Sequence, residues 1–140
     1  MKSAVDTNVL VALWDQDDAL NTSALAAFER AQGLGGLVVP APVYAELLAL
    51  PGRTETFLDQ FFADTGIYID WKLDEKIWRS AGRAFQSYAR RRSRQSRAGP
   101  RRILADFLIG AYALACGYQL LTLDDHLYRA AFPELPLIRI

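Results

Sequence analysis

Short apolar runs alternate along this chain with longer stretches whose apolar residues recur every three or four positions. Residues 3–6 read as a buried strand, after which Asn8 can cap a helical turn through Val9, Leu10 and Leu13. Leu20, Leu25 and Phe28 form the apolar stripe of a second helix, which ends in the glycine-rich Gln-Gly-Leu-Gly-Gly. Residues 37–39 make a second strand; Pro40 and Pro42 stop it and open a helix carrying Val43, Glu46, Leu47 and Leu50. Pro51-Gly52 closes that helix, and Phe57, Leu58, Phe61 and Phe62 mark the next one. A third strand follows at residues 67–69, then a helix with Ile77, Trp78, Ala81, Phe85 and Tyr88 on one face. Beyond Gly99-Pro100, a helix spans about residues 102–115, and residues 120–123 and 137–140 supply the last two strands.

Strands buried along their whole length and alternating with helices indicate a parallel sheet covered on both faces. The expected class is therefore α/β, three layers deep, with a central, mostly parallel sheet of about five strands. The 140 residues suit one domain, 1–140. In such sheets ligands bind beyond the carboxyl ends of the strands. Asp6 and Asp124 occupy two of those ends, Glu46 lies one turn past Pro42, and Asp106 lies one turn into its own helix.

Composition narrows the class. Apolar residues make up 51% of the chain and charged residues 23%, so it belongs with globular chains rather than disordered ones. No apolar run reaches the ~18 residues of a membrane span, and an aspartate interrupts the opening where a signal peptide would be apolar. Cys116 is the only cysteine, which suits a reducing, cytoplasmic setting, and its helix position suggests core packing. The net charge is zero, yet residues 90–102 hold seven arginines and no acid. A basic stripe beside an acidic site suits a polyanion handled with the help of a metal.

Asp6, Glu46, Asp106 and Asp124 thus fall on one edge, although each has a plainer explanation alone. Asp6 could cap the turn that follows, Asp124 could cap the helix containing Leu127 and Tyr128, and Asp106 could favour a helix N-terminus. Glu46 resists such a reading, because it sits beside a buried apolar face. Two carboxylates ~4 Å apart repel by about 4 kcal/mol at an effective dielectric of ~20. Hard divalent cations such as Mg²⁺ or Mn²⁺ offset repulsion of that kind. The only histidine, His126, reads as a surface residue beside Asp125.

Four segments carry a family resemblance: Asp6-Thr7-Asn8, Pro42-Val43-Tyr44-Ala45-Glu46-Leu47, residues 102–111 (Arg-Ile-Leu-Ala-Asp-Phe-Leu-Ile-Gly-Ala), and Leu121-Thr122-Leu123-Asp124. In order and spacing they resemble a PIN-domain ribonuclease, and more closely the VapC-type toxin of a VapBC toxin–antitoxin pair. The resemblance implies a PIN-like fold and a metal-dependent endoribonuclease, with Asp6, Glu46, Asp106 and Asp124 binding Mg²⁺ or Mn²⁺. Thr7, Asn8 and Thr122 would support these acids, and Asp125 could assist or replace Asp124; Asn8 as a simple helix cap is an equal reading. Arg97, Arg101 and Arg102 are candidates for contact with the RNA substrate. A VapB-like antitoxin and a homodimer are the implied partners, with the Phe57–Phe62 helix available to either. One departure is that many relatives place an acid before the aromatic of the last short helix, where this chain has Leu127-Tyr128. A non-catalytic RNA- or partner-binding module is the alternative, and a small-molecule phosphohydrolase is a third possibility that the lack of a glycine-rich phosphate loop disfavours.

Overall fold

The computed structural model describes residues 1–94 and 102–140. Their element order is β1 (Ser3–Val5), α1 (Thr7–Trp14), α2 (Asn21–Gly35), β2 (Leu37–Pro40), α3 (Ala41–Leu48), α4 (Glu55–Thr65), β3 (Tyr68–Asp70), α5 (Glu75–Arg94), α6 (Leu104–Cys116), β4 (Gln119–Thr122), α7 (Asp125–Ala131) and β5 (Leu137–Arg139). The five strands form one sheet in the order β3-β2-β1-β4-β5. Every pairing is parallel, so the sheet is more uniform than the mostly parallel one expected. Residues of β1 and β2 are buried without alternation, as strands covered on both faces must be. Among the described residues, no helix is long and apolar enough to cross a membrane.

Strand β1 lies between β2 and β4, with Ala4 opposite Val38 on one side and Leu120 on the other. The chain moves outward from β1 in one direction through β2 to β3, then returns to the other side for β4. That reversal opens a crevice past the carboxyl ends of β1 and β4. Helices α1 and α2 pack on each other, while α5, α6 and α7 form a second group. Helix α6 contributes the longest buried run, from Phe107 to Ala113. Its Tyr112 hydroxyl donates to Asp70 Oδ2 at 2.9 Å, tying α6 to the end of edge strand β3. Gly117, at φ 72°, ends α6 in the left-handed region and turns the chain into β4.

Several details depart from the sequence reading. The cap of α1 is Asp6, whose carboxylate accepts from Thr7 N–H, and Asn8 lies inside the helix. Helix α2 buries Ala24, Ala27, Phe28 and Ala31, whereas Leu20 and Leu25 are exposed. Small side chains at that spacing let the helix approach the sheet closely, and the larger leucines fall on the other face. Cys116 is exposed rather than core, because the buried run of α6 ends before its last turn. Trp78, placed on the inner face of α5 by periodicity, is 48% exposed.

Gly110 has the tightest surroundings of any helical glycine in the described interior. A Cβ there would stand 2.6 Å from Phe132 Cδ2 and 3.1 Å from Tyr128 Cδ1, so the missing side chain lets the end of α7 press onto α6. Gly82 on exposed α5 has no neighbour within 4 Å. Gly110→Ala should therefore lower stability by about 1–3 kcal/mol through overpacking. Gly82→Ala should raise it by about 0.5–1 kcal/mol through helix propensity. Urea denaturation of the two variants checks this; a gain in both would mean that Phe132 has room to turn aside.

Candidate active site

The crevice between β1 and β4 is built around one buried carboxylate. The sheet ladder continues one residue past β1, with Asp6 N–H donating to Leu121 O at 3.0 Å, and this carries the Asp6 side chain beneath the start of α1. Asp6 is only 4% exposed. Its Oδ1 accepts from Thr7 N–H at 2.8 Å. Its Oδ2 accepts from the Thr122 hydroxyl at 2.9 Å and from the Tyr128 hydroxyl at 3.0 Å. Thr122 Oγ1 in turn accepts from Asp124 N–H at 3.0 Å, so the turn after β4 is locked to the carboxylate at the end of β1. Asn8 Oδ1 adds a second tie by accepting from Leu123 N–H at 3.2 Å.

Two further acids join Asp6 around a cavity of ≈ 390 Å³, which is also lined by Thr7, Asn8 and Asp18. Glu46 arrives on α3, whose entry is fixed by Pro40 and Pro42. Its Oε1 accepts from the Thr7 hydroxyl at 2.7 Å. Asp106 sits in the first turn of α6, where its carboxylate accepts from Ile103 N–H at 3.4 Å. Asp124 stands apart from this cavity. It caps α7, with Oδ1 accepting from Leu127 N–H at 3.4 Å, and its Oδ2 meets Arg102 Nη1 at 2.6 Å.

The electrostatics link all four. Burial raises Asp6 from 3.8 to about 6, against the opposing hydrogen bonds of Thr122, Tyr128 and Thr7, and the charge of Asp106 adds to the rise. Glu46 is pushed up by burial and by Asp106, with the Thr7 hydrogen bond opposing. Asp106 is raised by burial and by Asp124, against Ile103 N–H and Arg102. Tyr128 is held well above its ordinary value, chiefly by burial and then by the negative charge of Asp6, and so remains a donor.

Among the described residues, no basic side chain lines the cavity. A dication would relieve both the desolvation and the repulsion, and hard carboxylate oxygens suit Mg²⁺ or Mn²⁺. The donor set therefore fits such an ion in chemistry and in charge. Among the described residues, no group of three acid, imidazole or thiol side chains is arranged to hold one ion by itself. Water would then complete the shell, as is usual for Mg²⁺.

The remaining sequence expectations divide. Thr7, Asn8 and Thr122 stand in the hydrogen-bond web just described. Asp125 lies outside this web and pairs with Arg129 (3.5 Å) and Arg139 (3.6 Å). Arg97 and Arg101 lie outside the described residues. Arg102 is paired with Asp124 at 2.6 Å. His126 is exposed beside Asp125. Of the phenylalanine-rich helix, Leu58 and Phe62 are core, while Phe57 is 39% exposed and covered on one side by the Arg53 guanidinium. Two residues escaped the sequence reading. Asp18 lies in the acidic loop Asp15-Gln16-Asp17-Asp18, a signal that was available; Tyr128 entered the sequence reading only as a member of the last short helix.

Comparison with known proteins bears on the fold and the family. Among solved structures, the chain resembles VapBC2 from Rickettsia felis, bound to a DNA fragment from their promoter, with a TM-score of 0.70 at 19% identity over 99% of this chain and 98% of that one. It also resembles VapBC-1 from nontypeable Haemophilus influenzae, with a TM-score of 0.67 at 20% identity over 99% and 98%. FitAcB from Neisseria gonorrhoeae gives a TM-score of 0.64 at 19% identity over 97% and 96%. No curated protein sequence matches the chain. A family model described as PIN domain matches residues 4–133, and the chain therefore belongs to the PIN-domain family.

Proposed function

We propose that this protein is a divalent-cation-dependent endoribonuclease and the toxin of a VapBC-type toxin–antitoxin pair. The observation that carries the nuclease reading is the convergence of Asp6, Glu46 and Asp106 on one cavity that, among the described residues, has no basic lining, with Asp124 paired to Arg102 nearby. Membership of the PIN family and the likeness to VapBC and FitAB structures support the toxin role. Ile103, Leu104, Trp71 and Trp78 are exposed. An apolar cavity of ≈ 550 Å³ reaches Glu46 between Pro42, Leu73, Trp78 and Leu104. Such a surface suits a protein partner, and an antitoxin segment seated there would end beside the acids.

In this reading Asp6, Glu46 and Asp106, together with water, would hold the ion, which would supply Lewis acidity by making water a stronger acid and offsetting charge on the phosphodiester oxygens. Thr7 fixes the rotamer of Glu46. Thr122 and Tyr128 both donate to Oδ2 of Asp6, whereas Oδ1 accepts only the Thr7 N–H, so Oδ1 keeps the greater capacity to act as a ligand. Asn8 holds the β4–α7 turn against α1, so that the crevice keeps its width.

With Mg²⁺ or Mn²⁺ the purified protein should cleave RNA, and EDTA should abolish cleavage. Asp6→Asn and Asp106→Asn should each lower the rate by about 100-fold or more, in line with loss of cation charge stabilisation worth several kcal/mol. Growth arrest on expression should be relieved by the neighbouring antitoxin. RNA binding without cleavage under any divalent ion would instead indicate a binding module, and turnover of nucleotides but not polymers would indicate a phosphohydrolase.

The pH dependence follows from Asp6. Because the folded protein holds this proton more tightly than the unfolded chain, it binds more protons between the two values, and its stability falls as pH rises. The displacement from 3.8 to about 6 corresponds to about 3 kcal/mol, lost progressively between about pH 4 and pH 7. Urea denaturation of the metal-free protein should show this decline, and it should be shallower in Asp6→Asn. Saturating Mg²⁺ should restore stability at the upper end, where the carboxylates are ionised. A wild-type slope equal to that of Asp6→Asn would remove Asp6 as its source.

A further inference from the structure

We propose that Arg102 is a built-in counter-ion that holds Asp124 away from the cation, and so sets the divalent concentration at which the site fills. This rests on the reading of the four acids as a cation site. The observation behind it is an asymmetry among them: Asp6, Glu46 and Asp106 face a cavity that no cationic side chain of the described residues lines, whereas Asp124 is paired with a guanidinium at 2.6 Å.

The pair is built rather than incidental. Arg102 N–H donates to the Tyr88 hydroxyl at 2.7 Å, which anchors the residue to α5. Asp124 is oriented at three points: N–H on Thr122, Oδ1 on the first turn of α7 and Oδ2 on Arg102. The side chains are 25% and 27% exposed, so the attraction is screened less than that of a surface pair. Asp106 feels both members, the charge of Asp124 raising its proton affinity and that of Arg102 lowering it.

A dication drawn to the Asp6–Glu46–Asp106 cavity gains Asp124 only by displacing this guanidinium, and the ion's affinity falls by the free energy of the pair. Arg102 therefore acts through Asp124 as a positioning residue. Its proximity to the acids reads differently from a simple substrate contact: without a cation it neutralises the fourth acid, and with one it is released.

Calorimetric titration of the full chain with Mn²⁺, in the absence of RNA, tests this. Arg102→Gln should bind Mn²⁺ about tenfold more tightly than wild type, while in an Asp124→Asn background the same substitution should change affinity by less than about threefold. In the wild type, the Arg102 Nε–H resonance should shift as Mg²⁺ saturates the site, a readout that needs no variant. Weaker or unchanged binding by Arg102→Gln, an equal gain in both backgrounds, or an Nε–H resonance indifferent to bound Mg²⁺ would overturn the proposal while leaving the cation site standing. Absence of Mn²⁺ binding in all four proteins, and of any Mg²⁺ response, would overturn the cation site and the counter-ion role together.

Discussion

A single buried carboxylate organises this protein. Asp6 lies where β1 meets α1, almost out of reach of water, and an unpaired charge in that place would be prohibitively costly. Three hydrogen bonds from Thr7, Thr122 and Tyr128 offset much of that cost. They come from the start of α1, the end of β4 and the middle of α7, so satisfying one acid fixes the relation of three elements. The crevice at the sheet's reversal point is therefore set by the solvation of Asp6 as well as by strand pairing.

The same carboxylate is still not fully compensated. Burial outweighs its hydrogen bonds, and the charge of Asp106 adds to the imbalance. Glu46 and Asp106 share the condition, each raised by burial and by a neighbouring acid. Evolution of stability alone has simple remedies, since an amide at any of these positions would remove the charge. Retaining the acids in a cavity that no basic side chain of the described residues lines is the arrangement expected of a cation-using site. Arg102 supplies the contrasting case, because the one acid outside the cavity has a full positive partner.

Tyr128 shows how packing feeds chemistry. Its hydroxyl reaches Asp6 because α7 lies close against α6, and the close approach depends on the bare backbone of Gly110. A glycine in the middle of a buried helix sacrifices helix propensity, and here the return is contact with Tyr128 and Phe132. The path from Gly110 through Tyr128 to Asp6 couples core packing on one side of the sheet to the crevice at its edge.

Much of this was legible in the residues themselves. Apolar runs bounded by Pro, Gly and Asp placed all five strands to within a residue or so, since a fully covered parallel strand leaves no polar alternation to confuse the pattern. The positions of Asp6 and Asp124 at strand ends, Glu46 one turn past Pro42 and Asp106 in the first turn of α6 followed from the same pattern. What the sequence could not decide was direction and pairing. The stripe of α2 is made of alanines because that helix packs close, and Cys116 lies past the last buried turn of α6; both depend on distances between elements. The sequence likewise placed Tyr128 in the last short helix without showing what its hydroxyl would meet. Three-dimensional contact alone divided the acids, sending Asp125 to Arg129 and Arg139, Asp124 to Arg102 and the other three to a common cavity. A linear pattern records which side chains are charged, but the partner each charge finds is chosen only when distant segments fold together.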